Sequence, residues 1–218
     1  MTKLDAPGVH LKERQIRQKE GRAMIGNVIL IAEVKTESPS GWKSERSWDD
    51  LFAIANKHGD MISIHTDPRW GGSIELVARA RGMTRKLILA KGIHATDDLV
   101  AEAFYAGADY VLVVGRVPAI QPQHCLIEPH TVAELRELPP TTLAVWNSRN
   151  LHLLYQTDNR KSETFAQARS VFPGWLCQAS NLTTIQDIKP GANAVLVGTK
   201  LLEFVESIKN FQPRHSLV

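Results

Sequence analysis

The stretch that decides the fold is ILIAEVKTESPS at residues 29–40. Its first half is a short apolar run bounded by Ser and Pro, which predicts a buried strand. Glu33 and Lys35 stand two residues apart near its end, so on a strand they point to the same face. Because charges at the end of a buried strand are costly unless they are paired or used, these two residues mark a candidate active-site edge.

Seven further runs of this kind follow, and helical patterns lie between most of them. Strands are predicted at 28–34, 61–65, 86–90, 110–114, 124–128, 142–146, 175–179 and 194–197. Helices are predicted at 47–58, 72–81, 95–106, 131–138, 161–171, 183–189 and 200–209. Short strands that alternate with helices predict an α/β protein whose parallel sheet closes into a (β/α)8 TIM barrel. A doubly wound open sheet is the alternative.

Two features depart from a regular barrel. The connection at 115–123 has nine residues with two prolines, which leaves no room for a normal crossover helix. We therefore expect the fourth helix to be missing or reduced to a turn. A short extra helix is predicted at 11–20, before the first strand. The expected organisation is a single domain over 1–218, with an N-terminal extension at 1–27 and the barrel at 28–210.

Composition and charge restrict the class of protein. The chain has 218 residues, of which 43% are hydrophobic and 22% charged, as is ordinary for a globular protein. A net charge of +3 is too small to indicate nucleic-acid binding, and no apolar run reaches the roughly 20 residues that span a bilayer. Cys125 and Cys177 make no disulfide framework, and the polar N-terminus lacks the apolar centre of a secretory signal. A cytoplasmic location is expected.

Polar residues stand at the predicted ends of the strands, where barrel enzymes have their active sites. Besides Glu33 and Lys35, the set comprises Lys91, Glu128, the run Asn147-Ser148-Arg149, the pair Ser180-Asn181 and the pair Gly198-Thr199. Lysines and glutamates at one mouth provide acid–base chemistry, because burial and neighbouring charges adjust their proton affinities. Gly198 and Thr199 precede a predicted helix and so offer backbone N–H groups and a hydroxyl to an anion.

Other polar residues near the strand ends have structural interpretations. His65 is interpreted as a structural histidine, with a role as proton carrier as the alternative. Asp67 and Arg69 are expected to form a salt link within a turn, and Trp42, Trp48, Trp146 and Trp175 are expected to be packing groups. His124 and His130 show no spacing typical of metal ligands, so no metal site is predicted.

Taken in order, the motifs of the chain resemble those of the indole-3-glycerol phosphate synthase family. The matching segments are IAEVK at 31–35, SPS at 38–40, TDPRWGGS at 66–73, LAK at 89–91, AGAD at 106–109, LIE at 126–128, NSRNL at 147–151 and GANAVLVG at 191–198. The resemblance implies a TIM barrel that acts on a carboxyphenylamino-deoxyribulose phosphate. In that reaction the ring closes, and carbon dioxide and then water leave. It implies no metal or redox cofactor.

The resemblance also implies a role for each matching residue. Lys91 is similar in position to the general acid, Lys35 to the cation that holds the substrate carboxylate, and Glu128 to the partner in proton removal and dehydration. Glu33 and Asn147 match groups that orient the sugar hydroxyls and the lysines. On the substrate-binding side, Ser180 matches a serine near the anthranilate carboxylate, Trp70 an aromatic wall of the ring pocket, and Ser38, Arg149, Gly198 and Thr199 the phosphate side.

The chain departs from the family pattern at the seventh strand, where Glu-Ser-Gly is replaced by Ala179-Ser180-Asn181. Asparagine tolerates left-handed backbone better than most residues, so we expect the loop to keep its shape. Gly92, Ile93 and Asn150 also differ from the pattern. The missing fourth helix and the changes at Ala179 and Asn181 motivate an alternative function, a homologue that binds a sugar phosphate or a partner protein with little or no turnover. An isomerase of the same pathway would need a cysteine–aspartate pair that the strand ends lack. A monomer and a homodimer are both compatible with the sequence.

Overall fold

The predicted closed barrel is confirmed. The computed structural model describes residues 27–156 and 158–210, in which eight parallel strands pair in chain order and the last pairs with the first. The strands are β1 Ile29–Val34, β2 Met61–His65, β3 Leu87–Lys91, β4 Tyr110–Val114, β5 Cys125–Glu128, β6 Leu143–Asn147, β7 Leu176–Ala179 and β8 Ala194–Val197. The predicted helix at 11–20 lies outside the described residues. The prediction of one domain over the full length stays a prediction.

Helices on the outside of the barrel connect the strands. They are α1 Trp48–His58, α2 Ile74–Met83, α3 Asp97–Tyr105, α4 Val132–Glu137, α5 Phe165–Val171 and α6 Leu201–Lys209. Ser47 and Thr164 begin α1 and α5 with capping boxes, and Thr96 and Thr131 cap α3 and α4. These hydroxyls accept bonds from backbone N–H groups that have no partner inside the first turn. None of the helices between residues 27 and 210 has the length and apolar character needed to cross a membrane.

Two connections contain a single turn of 3-10 helix instead of an α-helix. Between β4 and β5 the turn is Pro122–His124, which confirms the predicted reduction of the fourth helix. Between β7 and β8 the predicted helix at 183–189 is wrong, because only Ile185–Asp187 is helical. The carboxylate of Asp187 accepts from the backbone N–H groups of Thr183 and Thr184 and closes a tight loop. Pro190 then disfavours continuation of a helix through residue 189.

Alternation along the strands separates the barrel interior from the layer beneath the helices. One apolar cluster fills the interior and includes Ile29, Ile31, Met61, Leu89, Leu112, Leu126, Val145, Cys177, Ala179 and Leu196. The intervening strand residues pack outward against the helices. Counting by twos from the interior residues leads to Glu33, Lys35, His65, Lys91, Glu128 and Asn147. The fold therefore brings the polar ends of five strands into the mouth of the barrel.

Candidate active site

A cavity of about 290 Å³ opens at the carboxyl end of the barrel strands. It is lined by the twelve residues that sequence analysis assigned to catalysis or substrate binding: Glu33, Lys35, Ser38, Trp70, Lys91, Glu128, Asn147, Arg149, Ser180, Asn181, Gly198 and Thr199. The fold thus brings all twelve residues to one cavity. Their chemical roles stay predictions.

Glu33 is the centre of the charged side of this cavity. Its Oε1 accepts a hydrogen bond from Nζ of Lys91 at 2.5 Å and lies 2.9 Å from Nε2 of His65. Nζ of Lys35 is 4.0 Å from Oε2. Burial alone would raise the pKa of Glu33, but the charge of Lys91 and the hydrogen bond with His65 hold this pKa well below its ordinary range. Glu33 is therefore a carboxylate at neutral pH.

Lys35 is a buried cation near two other cations. Burial lowers the pKa of Lys35 to about 8, against the opposing charge of Glu33, and the charges of Lys91 and Arg149 add to the decrease. The centroid of the Trp42 ring lies 5.3 Å from its Nζ, so this tryptophan contacts a lysine of the site. A lysine with a pKa near 8 remains mostly protonated at neutral pH and holds its proton less tightly than an exposed lysine.

Glu128 and Asn147 form a second pair across the cavity. Nδ2 of Asn147 donates to Oε1 of Glu128 at 2.9 Å, and Oδ1 of Asn147 accepts from the backbone N–H of Arg149 at 3.0 Å. The two bonds fix the orientation of the amide. Burial raises the pKa of Glu128, although the charge of Lys91 and the bond from Asn147 oppose the increase. A carboxyl group with a raised pKa exchanges protons closer to neutral pH than an ordinary glutamate does.

Hydroxyl groups, an amide and a helix N-terminus also line the rim of the cavity. Oγ of Ser38 lies 3.0 Å from Oγ of Ser40, and Nδ2 of Asn181 donates to Oγ of Ser148 at 2.8 Å. Ser180 and Asn181 have φ angles of 69° and 54°, the left-handed conformation that asparagine was expected to tolerate. Gly198 and Thr199 come just before Lys200, the N-cap of α6, and the first N–H of that helix donates to the carbonyl of Gly198. This rim is suited to bind an anion.

The β2 loop forms an aromatic wall. The rings of Trp70 and His65 stack with centroids 5.4 Å apart and planes within 7°. The guanidinium of Arg69 lies on the Trp70 ring at 5.1 Å and binds the carboxylate of Asp67 through two nitrogens. Asp67 also accepts from the backbone N–H of Arg69, so the predicted salt link within a turn is confirmed.

Sequence reasoning missed several residues of the cavity. His65 was interpreted as structural, but it lines the cavity and contacts Glu33. Leu112, Leu151, Leu154 and Lys200 also line the cavity. Strand alternation was the available signal for His65 and Leu112, because both have the same parity as interior residues of their strands. Leu151 and Leu154 come from an irregular loop, for which periodicity offers no signal.

Neither a metal-binding cluster nor a reactive cysteine is found among the described residues. Within residues 27–156 and 158–210, no group of three or more His, Cys, Asp or Glu side chains lies close enough to share a metal ion. Cys125 and Cys177 are fully buried, and neither lines the cavity. Burial raises the pKa of both thiols. These cysteines are packing residues rather than nucleophiles of the site.

Comparison with known proteins identifies the family. The model of the family described as indole-3-glycerol phosphate synthase matches residues 5–212. An indole-3-glycerol phosphate synthase of Bacillus pumilus is 29% identical over 199 residues, covering 79% of this chain and 78% of the relative. That of Shouchella clausii is 30% identical over 199 residues, covering 79% and 76%.

Among solved structures, the crystal structure of KGPDC from Streptococcus mutans matches with a TM-score of 0.57 and 12% identity, over 84% of this chain and 96% of that chain. At this identity the likeness concerns the fold alone. The family match extends over nearly the whole sequence and includes every strand of the barrel. The chain therefore belongs to the indole-3-glycerol phosphate synthase family.

Proposed function

We propose that the protein is an indole-3-glycerol phosphate synthase, a lyase of tryptophan biosynthesis that acts on a carboxyphenylamino-deoxyribulose phosphate. The observation that carries the proposal is the arrangement of two acid–base groups across one cavity. Lys91 and Lys35 meet at Glu33 on one side, and Glu128 is held by Asn147 on the other. Membership of the family and the names of the curated relatives support it.

The lysines serve the ring closure in this proposal. The aromatic carbon that bears the carboxylate forms a bond with the ketone carbon of the sugar chain, and Lys91 donates a proton to the ketone oxygen. Lys35 holds the substrate carboxylate, since its pKa of about 8 leaves it mostly charged at neutral pH. Loss of carbon dioxide then returns the bonding electrons to the aromatic ring. Glu33 keeps the two ammonium groups in place.

Glu128 serves the final dehydration. The new hydroxyl takes a proton from the ammonium group of Lys35 and leaves as water, and Glu128 removes a proton from the closed ring. Its raised pKa suits this transfer, because a base that accepts a proton in one step must release it after turnover. Asn147 keeps the accepting oxygen of Glu128 in a fixed orientation and contacts the sugar hydroxyls.

The remaining residues bind the two ends of the substrate. Ser38, Arg149, Gly198 and Thr199 hold the phosphate near the N-terminus of α6, where partial positive charge favours an anion. Asn181 shapes the neighbouring turn. Ser180 contacts the anthranilate carboxylate, and Trp70 forms a wall of the ring pocket.

Product formation from the synthetic substrate tests the proposal, because the indole product is fluorescent. We expect turnover by the wild-type protein and a loss of about 10²- to 10⁴-fold in Lys91→Ala, since this change removes the general acid. Lys209→Ala, at the exposed end of α6, is the matched control and should keep wild-type activity. A wild-type signal no higher than that of Lys91→Ala would contradict the proposal. The comparisons give no support to the alternative of a binding protein without turnover.

A further inference from the structure

His65 occupies a position in the site that the proposed reaction leaves without a role. It is the last residue of β2 and pairs with Lys91 in the register between β2 and β3. Its side chain is 4% exposed, and His65 is one of the residues that line the cavity. The residue thus lies beside the proposed general acid, with its ring on the aromatic wall formed by Trp70.

The hydrogen-bond partner of His65 determines its tautomer. Oε1 of Glu33 belongs to an ionised carboxylate and can only accept, so Nε2 of His65, at 2.9 Å, must donate. Nδ1 is buried, and it has no hydrogen-bond partner within the described part of the chain. Burial and the charge of Lys91 lower the pKa of His65 to about 4. At neutral pH the ring is therefore neutral, with its proton on Nε2.

A neutral hydrogen-bond donor at this position restrains Glu33 without adding a positive charge. Oε1 of Glu33 accepts from both His65 and Lys91, and it is held between them. A third cation here would repel Lys91 and Lys35, whereas a neutral imidazole restrains the carboxylate and adds no charge. The stack on Trp70 fixes the plane of the ring, and this plane directs the Nε2–H bond toward Glu33.

We propose that His65 is a positioning residue that anchors one oxygen of Glu33, so that Glu33 keeps the ammonium of Lys91 directed into the cavity. This inference rests on the proposed function, because the geometry it protects is that of the proposed general acid. It differs from a purely structural role in one respect. What matters is the Nε2–H donor, and a side chain that fills the same volume without a donor does not replace it.

Two substitutions separate the donor from the volume. Glutamine carries an amide nitrogen near the position of Nε2 and can donate to Glu33, whereas leucine fills the space and cannot. We expect His65→Leu to lower kcat about 10- to 100-fold while KM changes less than about threefold, because a displaced general acid affects the chemical step. His65→Gln should retain kcat within about threefold of wild type.

The tautomer offers a measurement that does not depend on turnover. Proton–nitrogen correlation NMR of the histidine rings should show His65 neutral with its proton on Nε2 at pH 7, and the bond to Glu33 should be lost in Glu33→Leu. An Nδ1–H tautomer or a charged ring would overturn the inference. So would wild-type kcat in His65→Leu, or an equal loss of kcat in both variants. Absence of product with wild-type protein would instead overturn the proposed function, and with it the positioning role of His65 in turnover.

Discussion

The carboxylate of Glu33 lies directly over Gly198, so that a Cβ atom on residue 198 would overlap Oε2 of Glu33. The glycine at the end of β8 is therefore part of the same arrangement as the acid at the end of β1. The carboxylate is at the end of a flexible side chain, but Lys91 and His65 hold one of its oxygens. Any side chain at residue 198 must shift this carboxylate.

Gly198→Ala should consequently reduce turnover far more than stability. We expect kcat to fall about 100-fold, because Glu33 must leave Lys91. The free energy of unfolding should decrease by only about 1 kcal/mol, since a flexible side chain moves rather than the backbone. Steady-state kinetics and chemical denaturation measure the two quantities.

The matched control is Gly82→Ala. Gly82 is exposed in the last turn of α2, and nothing lies within 4 Å of its added Cβ. This variant should keep wild-type kcat and gain about 0.5 to 1 kcal/mol of stability, because alanine is the better helix former. Equal kcat in Gly198→Ala and wild type would show that the placement of Glu33 is not needed for turnover.

The pKa of Lys35 predicts how substrate binding depends on pH. Its ammonium loses its proton as the pH rises through about 8, so the attraction for the substrate carboxylate is lost above that pH. KM should rise by up to about tenfold per pH unit above 8. In Lys35→Arg the cation persists, because a guanidinium stays protonated, and this rise should be absent even where kcat is reduced. If KM of the wild type and of Lys35→Arg changed in the same way between pH 7 and 9.5, Lys35 would not be the group that binds the substrate carboxylate.

Much of the site follows from strand parity, which is a local property of the sequence. A strand that begins with interior Ile29 and Ile31 must place Glu33 and Lys35 inside as well, and the same counting places Lys91, Glu128 and Asn147. The ends of parallel strands then meet at one mouth, so that residues as distant in the sequence as Glu33 and Gly198 become neighbours. Pro118 and Pro122 likewise predict that the fourth helix is missing, because proline lacks the backbone N–H that a helix interior needs.

What could not be predicted depends on contacts between distant segments. In the sequence, His65 looks like any histidine at the end of a buried strand. Its importance arises only because Glu33, 32 positions away, accepts a hydrogen bond from its Nε2–H. The predicted helix at 183–189 has adequate helical periodicity. Asp187 and Thr184 begin a helix with a capping box, but it ends after one turn, because Ile188 is extended, the N–H of Lys189 donates to Oε1 of Gln178, and Pro190 follows.

Burial of neutral His65 predicts that acid destabilises the protein. In the unfolded chain the imidazole titrates near 6.5, whereas its pKa in the folded protein is lowered to about 4. Between these values the unfolded state binds more protons, so stability falls as pH decreases from 6.5 to 4, by roughly 3 kcal/mol from this residue. Denaturation of His65→Gln at pH 7, 5.5 and 4.5 should show a correspondingly smaller loss.

His152→Gln serves as the control for that measurement, because His152 is exposed. Its loss of stability on acidification should lie close to that of the wild type, because the substitution changes only the contact with His130. An acid response of His65→Gln equal to that of His152→Gln would mean that His65 is not buried in neutral form.

The left-handed conformation of Asn181 predicts an ordered series of stabilities. Its φ angle of 54° costs a side chain with a Cβ about 1 kcal/mol, less for asparagine and nothing for glycine. Asn181→Ala should therefore be less stable than wild type by about 1 kcal/mol, and Asn181→Val by more. Asn181→Gly should be as stable as wild type within about 0.5 kcal/mol, because relief of strain offsets the lost bond to Ser148. Thermal denaturation of the three variants measures the order, and equal stability of the alanine and glycine variants would contradict it.

The bond between Asn147 and Glu128 predicts the position of the acid limb of the pH–rate profile. Glu128 must be ionised to accept a proton, so activity decreases as the pH falls through its raised pKa. The donor Nδ2 of Asn147 stabilises the ionised form. In Asn147→Ala this stabilisation is lost, the pKa of Glu128 rises further, and the acid limb of kcat should move to higher pH. Asn210→Ala, just beyond α6, should leave the limb unchanged. In Glu128→Gln the limb should disappear together with most of the turnover, and a limb that persists at its wild-type pH would assign it to a different carboxyl group.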